Sequence, residues 1–381
     1  MSQRLVVLGG GVIGLSIAWE AIRRGMEVTI LDRSDLPGRA SWAGAGILVP
    51  GHPAHSAHPL DRMAGLSREL HQKWAVDLRA ETGLDNGLVE CGGVYLATSP
   101  GEKASLAAQM NLWQTEQVES TPMDRAELEK LLGPEFRPTT EVHSSWHVAS
   151  EMQICNTAHM DVLSEAILGR NGEIIRLTDT DATKLELPIS PGRNEVQSIV
   201  VGSDSYPCDC LCLAAGAWSG QIAESLGFHL PTIPVRGQMI LYKLPRREFV
   251  PIVSLGSRYI VPRADGHVLV GSTMEEAGFD ASTTEEGLAS LKSFAASLFP
   301  VLNESNIERS WAGLRPASFD GMPYIGPLQG TPNILVATGH MRSGLQLSTA
   351  TAVLICDMLE NRKIDCDLQR LMSPRRFTSD R

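Results

Sequence analysis

The sequence lacks an excess of positive charge and any long apolar run. Its 381 residues carry 33 Lys and Arg against 44 Asp and Glu, a net charge of −11. Nucleic-acid binding needs clustered Lys and Arg, so no nucleic-acid partner is expected. No stretch reaches the roughly 18 apolar residues that a membrane-spanning helix requires. No basic amphipathic segment occurs either, so neither a membrane span nor a membrane-surface role is expected.

The sequence also lacks the short motifs of hydrolases and metal sites. It contains no GxSxG, HExxH or CxxC. The three histidines of GHPAHSAHPL lie between prolines in a predicted loop, so no metal is expected there. The seven cysteines include Cys208, Cys210 and Cys212, which alternate along an apolar run. This pattern is typical of small buried side chains in a reducing compartment.

The apolar run after Arg4 is similar to a secretory signal. However, Glu20, Arg23 and Arg24 stand where a cleavage region would have to lie. A strand, a glycine turn and a helix explain the same residues better. We therefore expect a cytoplasmic protein.

A nucleotide-binding βαβ unit is predicted at the start of the chain. Strands are expected at 5–8 and 28–31, with a helix at 12–24 between them. The intervening GGGVIG satisfies GxGxxG with Gly9, Gly11 and Gly14, which suit a tight turn, close approach of a pyrophosphate and helix–strand packing. Asp32 ends the second strand and can accept from ribose hydroxyls. The fingerprint does not by itself separate NAD from FAD.

Two small-residue segments are further cofactor candidates. In RASWAGAGI, Ser41 can bond a phosphate, and the amides of 45–47 can line a ring system. The alternative is a flexible loop. DCLCLAAGAWS, residues 209–219, predicts a strand that ends under a cofactor, with an ordinary packed strand and turn as the alternative.

The element order predicts a mixed α/β fold: a Rossmann-like domain with an inserted substrate domain built on an antiparallel sheet. The Rossmann-like domain is expected at 1–85, 145–225 and 308–370, and the inserted domain at 86–144 and 226–307. Further helices are predicted at 60–82, 103–117, 125–132, 285–299 and 344–360. Another is predicted through Leu168, with Asn156 as its N-cap.

Tyr259 in RYIVPR and Arg315 in GLRP are the candidates for binding substrate. An arginine fork holds a carboxylate through two hydrogen bonds, and a phenol adds a third. The alternatives are a surface arginine in a salt bridge and an interfacial tyrosine.

Taken together, these motifs resemble the D-amino acid oxidase-like family of FAD-dependent enzymes, above all its glycine-oxidising members of thiamine biosynthesis. The resemblance covers nearly the whole chain. Its most specific pieces are PVRGQ (234–238), YIVPR (259–263), GSTME (271–275) and GLRPxxxDGxPxIG (313–326).

The resemblance implies noncovalent FAD, because no cysteine lies near Arg315. It implies that Arg315 and Tyr259 bind the substrate carboxylate, with Arg342 and Met274 nearby. No residue is given a catalytic role beyond positioning. Added to the glycines and Asp32, the implied FAD contacts are Val12, Ile13, Arg33, Ala40, Ser41, Ala45, Gly46, Ile47, Ala182, His340, Met341, Arg342, Ser343, Gly344, Leu345 and Gln346.

The chain departs from the family beside the predicted flavin. Met341 stands where an aromatic residue is frequent, and Ser343 where Asn is frequent. Residues 346–349 read QLST where Leu-Leu-Ala-Pro is frequent. These differences bear on substrate choice and on reactivity with oxygen.

The activity that the resemblance implies is oxidation of glycine, other small amines or D-amino acids to an imine, with O₂ reduced to H₂O₂. Thiazole-synthesis enzymes and a second copy of the chain are implied partners. A dehydrogenase for D-amino or N-methyl amino acids is the nearest alternative. An FAD-binding module without turnover and an NAD-dependent dehydrogenase are the others.

Overall fold

The computed structural model describes residues 2–33, 38–178, 185–188 and 195–377. Ala182, predicted to lie at the adenine, falls outside the described residues. The strands are β1 (Arg4–Leu8), β2 (Glu27–Asp32), β3 (Ile47–Leu48), β4 (Val89–Glu90), β5 (Gly93–Ala97), β6 (Thr121–Pro122), β7 (Ser144–Val148), β8 (Met152–Gln153), β9 (Glu173–Arg176), β10 (Leu185–Glu186), β11 (Ser198–Val201), β12 (Asp204–Pro207), β13 (Cys210–Leu213), β14 (Thr232–Lys243), β15 (Ile252–Leu255), β16 (Arg258–Pro262), β17 (His267–Gly271), β18 (Ile307–Ser318), β19 (Tyr324–Pro327) and β20 (Ile334–Thr338).

The helices alternate with these strands in the first and last parts of the chain. They are α1 (Val12–Arg23), α2 (Ala40–Ala43), α3 (Pro59–Thr82), α4 (Pro100–Thr115), α5 (Arg125–Leu132), α6 (Asn156–Gly169), α7 (Ser219–Ser225), α8 (Glu285–Leu298), α9 (Gly344–Leu359) and α10 (Cys366–Met372). Within the described ranges, no helix is long and apolar enough to cross a membrane.

A six-stranded sheet in the order β19-β20-β13-β1-β2-β9 carries the predicted βαβ unit. Its strands pair in parallel except β19, which runs antiparallel to β20. The sheet is buried on both faces, so β1 is apolar at successive positions. Leu5 and Val7 pack into the core with α1, α3, α6 and α9, whereas Val6 and Leu8 pack into a second core on the opposite face. The predicted βαβ start is confirmed.

An eight-stranded sheet in the order β18-β14-β17-β16-β15-β5-β7-β6 forms the second large layer. Its strands pair antiparallel, as predicted, except β5 and β15, which are parallel. One row of residues in register crosses five strands: Met239, Gly271, Tyr259, Ser254 and Tyr95. Residues opposite each other on neighbouring strands point to the same face. This row therefore lies on one face of the sheet.

One expectation from the sequence differs from the structure, and one long strand was not predicted. The segment around Arg315 belongs to a 12-residue strand, β18, that pairs with β14. Asn156 is the first residue of α6 and not its N-cap, which is Cys155. The division of the chain at residues 86, 145, 226 and 308 remains a proposal. That division assigns most of β18 to the Rossmann-like domain, whereas β18 hydrogen-bonds in the eight-stranded sheet.

Candidate active site

One cavity of about 1340 Å³ runs between the two large sheets. It begins at the glycine turn after β1 and ends at Arg315 on β18. A pocket for a single small ligand is typically about 300–1000 Å³. The volume is therefore large enough for a long ligand and a small one together.

The glycine turn at one end of the cavity requires its glycines. Gly9 has φ of 112°, and a Cβ on it would lie 2.5 Å from the carbonyl oxygen of Ala214. A Cβ on Gly14 would overlap the carbonyl oxygen of Gly9. The glycines thus let α1 begin directly against the sheet, with the positive end of its dipole at the cavity.

Asp32 closes the same end of the cavity. One of its carboxylate oxygens accepts from the amide of Gly10 at 2.8 Å, and the other accepts from the guanidinium of Arg176 at 3.0 Å. The guanidinium of Arg39 lies 3.5 Å from the second oxygen. Asp32 is therefore fixed beside the glycine turn.

A bridge of hydrogen bonds holds α2 against the start of α1. The hydroxyl of Ser41 accepts from the amide of Val12 at 3.0 Å. The side-chain amide of Asn156 donates to the carbonyl oxygens of Ser41 and Trp42, both at 2.7 Å. Asn156 therefore positions the phosphate candidate Ser41 from a helix that begins more than 100 residues later in the chain.

The 44–47 segment is fixed to β8 in a similar way. Gly46 has φ of 75°, and a Cβ there would overlap the carbonyl oxygen of Ile154. Arg263 donates to the carbonyl oxygens of Ala45 at 2.9 Å and Ile154 at 3.1 Å. Burial lowers the pKa of Arg263. Its guanidinium forms charge-assisted hydrogen bonds with these two carbonyl oxygens. These contacts hold the 44–47 segment against β8.

The segment 340–346 faces the middle of the cavity. Met341 has φ of 50°, and its amide donates to the carbonyl oxygen of Pro316 at 2.8 Å. His340 is buried, and its Nε2 lies 3.1 Å from the hydroxyl of Thr351. Burial lowers the pKa of His340 to about 3, so the imidazole is neutral. The first amides of α9 have no acceptors within the helix and are available to a ligand.

Arg315 lies at the other end of the cavity. Its Nη1 donates to the carbonyl oxygen of Thr273 at 3.1 Å, and its Nη2 donates to the hydroxyl of Ser272 at 2.6 Å. Among the described residues, no carboxylate forms a salt bridge with it. Burial lowers its pKa and nearby Arg342 acts in the same direction, against the phenol of Tyr259. A half-buried cation without a carboxylate partner creates a local preference for an anion.

The other substrate candidates are placed differently. The hydroxyl of Tyr259 lies 3.4 Å from the sulfur of Met239, a weak acceptor that a better one readily replaces. Arg342 lines the cavity and donates to the carbonyl oxygen of Ser257 at 3.0 Å. Met274 is 61% exposed and is not among the residues that line the cavity.

Most of the predicted cofactor residues meet in this one cavity. Gly14 does not line it, because it packs beneath Gly9. The lining includes Gly9, Gly11, Val12, Ile13, Asp32, Arg33, Ala40, Ser41, Ala45, Gly46, Ile47, His340, Met341, Arg342, Ser343, Gly344, Leu345 and Gln346. The small residues of 214–218 line it as well, as expected for a strand that ends under a cofactor.

Several residues that shape the cavity were not found from the sequence. Asn156 was interpreted as a helix cap, and Arg263 was noticed only as part of a motif. Tyr95, Glu151 and Gly237 carried no local signal, because their roles depend on strand register.

The residues at this cavity fit FAD. A glycine turn at the N-terminus of α1 and the fixed carboxylate of Asp32 suit the adenosine and pyrophosphate part. Gly46 and the 340–346 segment leave main-chain groups facing the region between that end and Arg315. In the described ranges, no cluster of three His, Cys, Asp or Glu side chains is arranged to hold a metal ion.

Comparison with known proteins agrees with this fit. The family model described as "FAD dependent oxidoreductase" matches residues 4–358. A glycine oxidase of Pseudomonas aeruginosa is 34% identical over 364 residues, covering 95% of this chain and 96% of that protein. The crystal structure of glycine oxidase from Geobacillus kaustophilus superposes with a TM-score of 0.87 at 26% identity, covering 99% of this chain and 100% of that chain.

A further relative is longer than this chain. A protein of Trichormus variabilis named "Bifunctional protein ThiO/ThiG" is 31% identical over 373 residues, which are 96% of this chain and 54% of that protein.

Proposed function

The chain belongs to the FAD-dependent oxidoreductase family and acts on amino donors, and from this premise we propose that it oxidises glycine and other small amino acids. The products are the imine, which hydrolyses to glyoxylate or another 2-oxo acid and ammonia, and H₂O₂ from O₂. One observation carries the choice of substrate class: Arg315 is a half-buried, partly desolvated cation in the cavity with no carboxylate partner among the described residues.

Arg315 binds the substrate carboxylate in this proposal. A guanidinium has five N–H donors, and the hydrogen bonds to Thr273 and Ser272 leave others for a ligand. Because those two bonds hold the guanidinium against the sheet, it is ordered before the substrate arrives. Such preorganisation strengthens a bidentate contact with a carboxylate.

Tyr259 adds a hydrogen bond to the same carboxylate. Its phenol lies close enough to Arg315 to favour the charged guanidinium, and it donates to the weak acceptor sulfur of Met239. Two anchors on one carboxylate determine where the amino group and the Cα–H bond lie, and this positioning accounts for much of the catalysis. FAD, when bound, supplies the two-electron acceptor for that bond.

The positive end of α9 and Arg342 add positive potential to the same region of the cavity. The amino group reacts in its neutral form, so we assign no side-chain base to it. His340 is neutral and is bonded to Thr351, which suits a role in holding the 340–346 segment in place.

A role in making a thiazole precursor is supported by the bifunctional relative. In that protein, a segment similar to this chain is joined to a second part of comparable length. A thiazole-synthesis enzyme is therefore the partner that we propose would receive the imine.

Anaerobic addition of glycine to the yellow holoprotein tests the activity. We expect the flavin absorbance to bleach, and readmission of air to restore it with one H₂O₂ formed for each glycine consumed. Bleaching without peroxide would instead support the dehydrogenase alternative. A flavin that no small amine bleaches would support the module without turnover and overturn the proposal.

Substitution of Arg315 tests the substrate anchor. Arg315→Ala is expected to raise KM for glycine by a factor that corresponds to roughly 2–4 kcal/mol while FAD remains bound. Arg246→Ala, at a side chain 79% exposed, is the matched control. An unchanged KM in Arg315→Ala would show that the carboxylate is held elsewhere.

A further inference from the structure

The buried carboxyl group of Glu151 lies in the same cavity and has no role in the reaction described above. It follows β7 and precedes β8, and the residue is fully buried. One of its oxygens, Oε2, accepts from the phenol of Tyr95 at 2.7 Å. The other oxygen, Oε1, has no partner among the described residues. A buried carboxyl oxygen that lacks a partner and lines a cavity is positioned for a ligand.

The sheet leaves space for this carboxyl group on the face that carries the proposed substrate anchors. A Cβ on Gly93 of β5 would overlap Oε2 of Glu151, so the carboxyl group lies directly over Gly93. Tyr95 is two residues further along the same strand and belongs to the row that contains Tyr259. Glu151 and Tyr259 therefore face the same cavity from the same side.

Strand geometry gives the separation of the backbone positions of Tyr259 and Tyr95, the phenols that lie beside the two proposed anchors. Tyr259 and Tyr95 are both in register with Ser254, on the two strands that flank β15. Neighbouring strands lie about 4.8 Å apart, so the two phenol-bearing positions are about 10 Å apart. Glycine spans much less than this distance, so a substrate held at Arg315 leaves the Glu151 end of the cavity free.

We propose that Glu151, oriented by Tyr95, is a second anchor that takes the protonated amine at the far end of a substrate whose carboxylate lies on Arg315. The inference rests on the proposed function, because it assumes that Arg315 holds a carboxylate. The substrate class it implies is an amino acid whose substituent, on Cα or on nitrogen, ends in a cationic amine.

The chemistry of the pair suits an amine and not a second carboxylate. Burial raises the pKa of Glu151 to about 8, against the opposing effect of the Tyr95 hydrogen bond. A protonated amine next to the carboxyl group favours its ionised form and gains a charge-assisted hydrogen bond. An anionic substituent would repel the ionised carboxyl group and could bond only to its protonated form, while the Tyr95 phenol already donates to Oε2.

Equilibrium binding of ω-amino carboxylates to the yellow holoprotein tests this inference without turnover at Cα. The probes are 4-aminobutanoate, 5-aminopentanoate and 6-aminohexanoate, each paired with the carboxylate of the same length that lacks the amine. Calorimetry is expected to show that at least one amino member binds roughly tenfold or more tightly than its partner. Glu151→Gln is expected to remove that preference, and Tyr95→Phe to reduce it.

Glu90→Gln is the control, because Glu90 lies on neighbouring β4 with a side chain 54% exposed. It should keep the preference. A second measurement compares kcat/KM for D-ornithine and D-norvaline, and for N-(2-aminoethyl)glycine and N-propylglycine. At least one cationic substrate should be favoured by wild type, and the ratio should approach one in Glu151→Gln.

Two results would overturn the inference: no preference for the amine at any length, or a preference that Glu151→Gln retains. Anaerobic bleaching by glycine is run on the same preparations. Bleaching by glycine without a preference for the cationic ligands would reject the second anchor and leave the proposed function intact. Absence of bleaching would reject the function itself.

Discussion

The guanidinium group of Arg315 occupies the space that a side chain at Gly237 would need. All three terminal atoms of the guanidinium lie where a Cβ on Gly237 would overlap them. Gly237 pairs with Gly313 across β14 and β18, two residues from the Val235–Arg315 pair. Gly237 thus leaves the space in which the guanidinium lies, whereas its partner Gly313 leaves space for Ala43 of α2.

Gly237→Ala is therefore expected to displace Arg315 without removing its charge. We expect KM for glycine to rise roughly tenfold or more, since misplacing a bidentate anchor costs at least one charged hydrogen bond. Steady-state kinetics at saturating FAD measure this effect. Gly101→Ala, where a Cβ would meet nothing, is the control. An unchanged KM would mean that the position of the guanidinium is not what binds glycine.

Asn156→Ala should weaken cofactor binding and leave the substrate anchor intact. The change leaves the carbonyl oxygens of Ser41 and Trp42 without their 2.7 Å donors, at a cost of roughly 1–3 kcal/mol. FAD titration of the apoprotein should show a higher Kd. Asn111→Ala, on an exposed position of α4, is the comparison. Equal FAD affinity in both variants would show that the bridge to α2 does not support the cofactor.

Asp32→Asn separates cofactor affinity from substrate affinity in another way. The neutral amide keeps the shape of Asp32 but loses the charge that pairs with Arg176 and faces Arg39. We expect a weaker Kd for FAD, and at saturating FAD a KM for glycine close to that of wild type. A change in KM without a change in FAD affinity would contradict the assignment of Asp32 to the cofactor.

Glu151 should make the stability of the protein depend on pH. Its folded-state pKa of about 8 lies above the ordinary value of 4.5, so between these values the folded state holds a proton that the unfolded state releases. The contribution is therefore fully present below pH 4.5 and is lost as pH rises through about 8. Over this interval, wild type should lose roughly 2–5 kcal/mol relative to Glu151→Gln.

Denaturant unfolding of the two apoproteins at a series of pH values measures that difference. Glu90→Gln should follow wild type, since its carboxylate is half exposed. A difference between wild type and Glu151→Gln that is constant with pH would mean that the carboxyl group is ionised in the folded protein at neutral pH.

The sequence predicted the elements whose periodicity and caps are local. The βαβ start and the helices predicted at 60–82 and 125–132 were found. In the structure Gly83 ends α3, and an Asp124–Glu127 capping box begins α5. These features depend on spacing within a few residues, which the sequence displays directly.

The sequence did not predict the parts of the site that depend on long-range register. Nothing local to Asn156 indicates that its amide reaches α2, and an N-cap was the reasonable interpretation of Asn before an apolar helix. β18 was missed because Gly313 and Pro316 disfavour strand in isolation, yet pairing with β14 stabilises it there. Ala182 lies outside the described residues, so its predicted place at the adenine remains untested.

The small side chain of Ser254 separates the two phenols of the row that crosses the eight-stranded sheet. Since each neighbour is about 4.8 Å away, the size of this one residue decides whether the cavity is continuous or divided. A bulky residue at position 254 would confine ligands to the Arg315 end without touching Arg315 itself, although it would lie beside Tyr259. The length of substrate that the cavity accepts is thus set separately from the carboxylate that Arg315 recognises. A substitution at position 254 alone could change the accepted length, in evolution or by design.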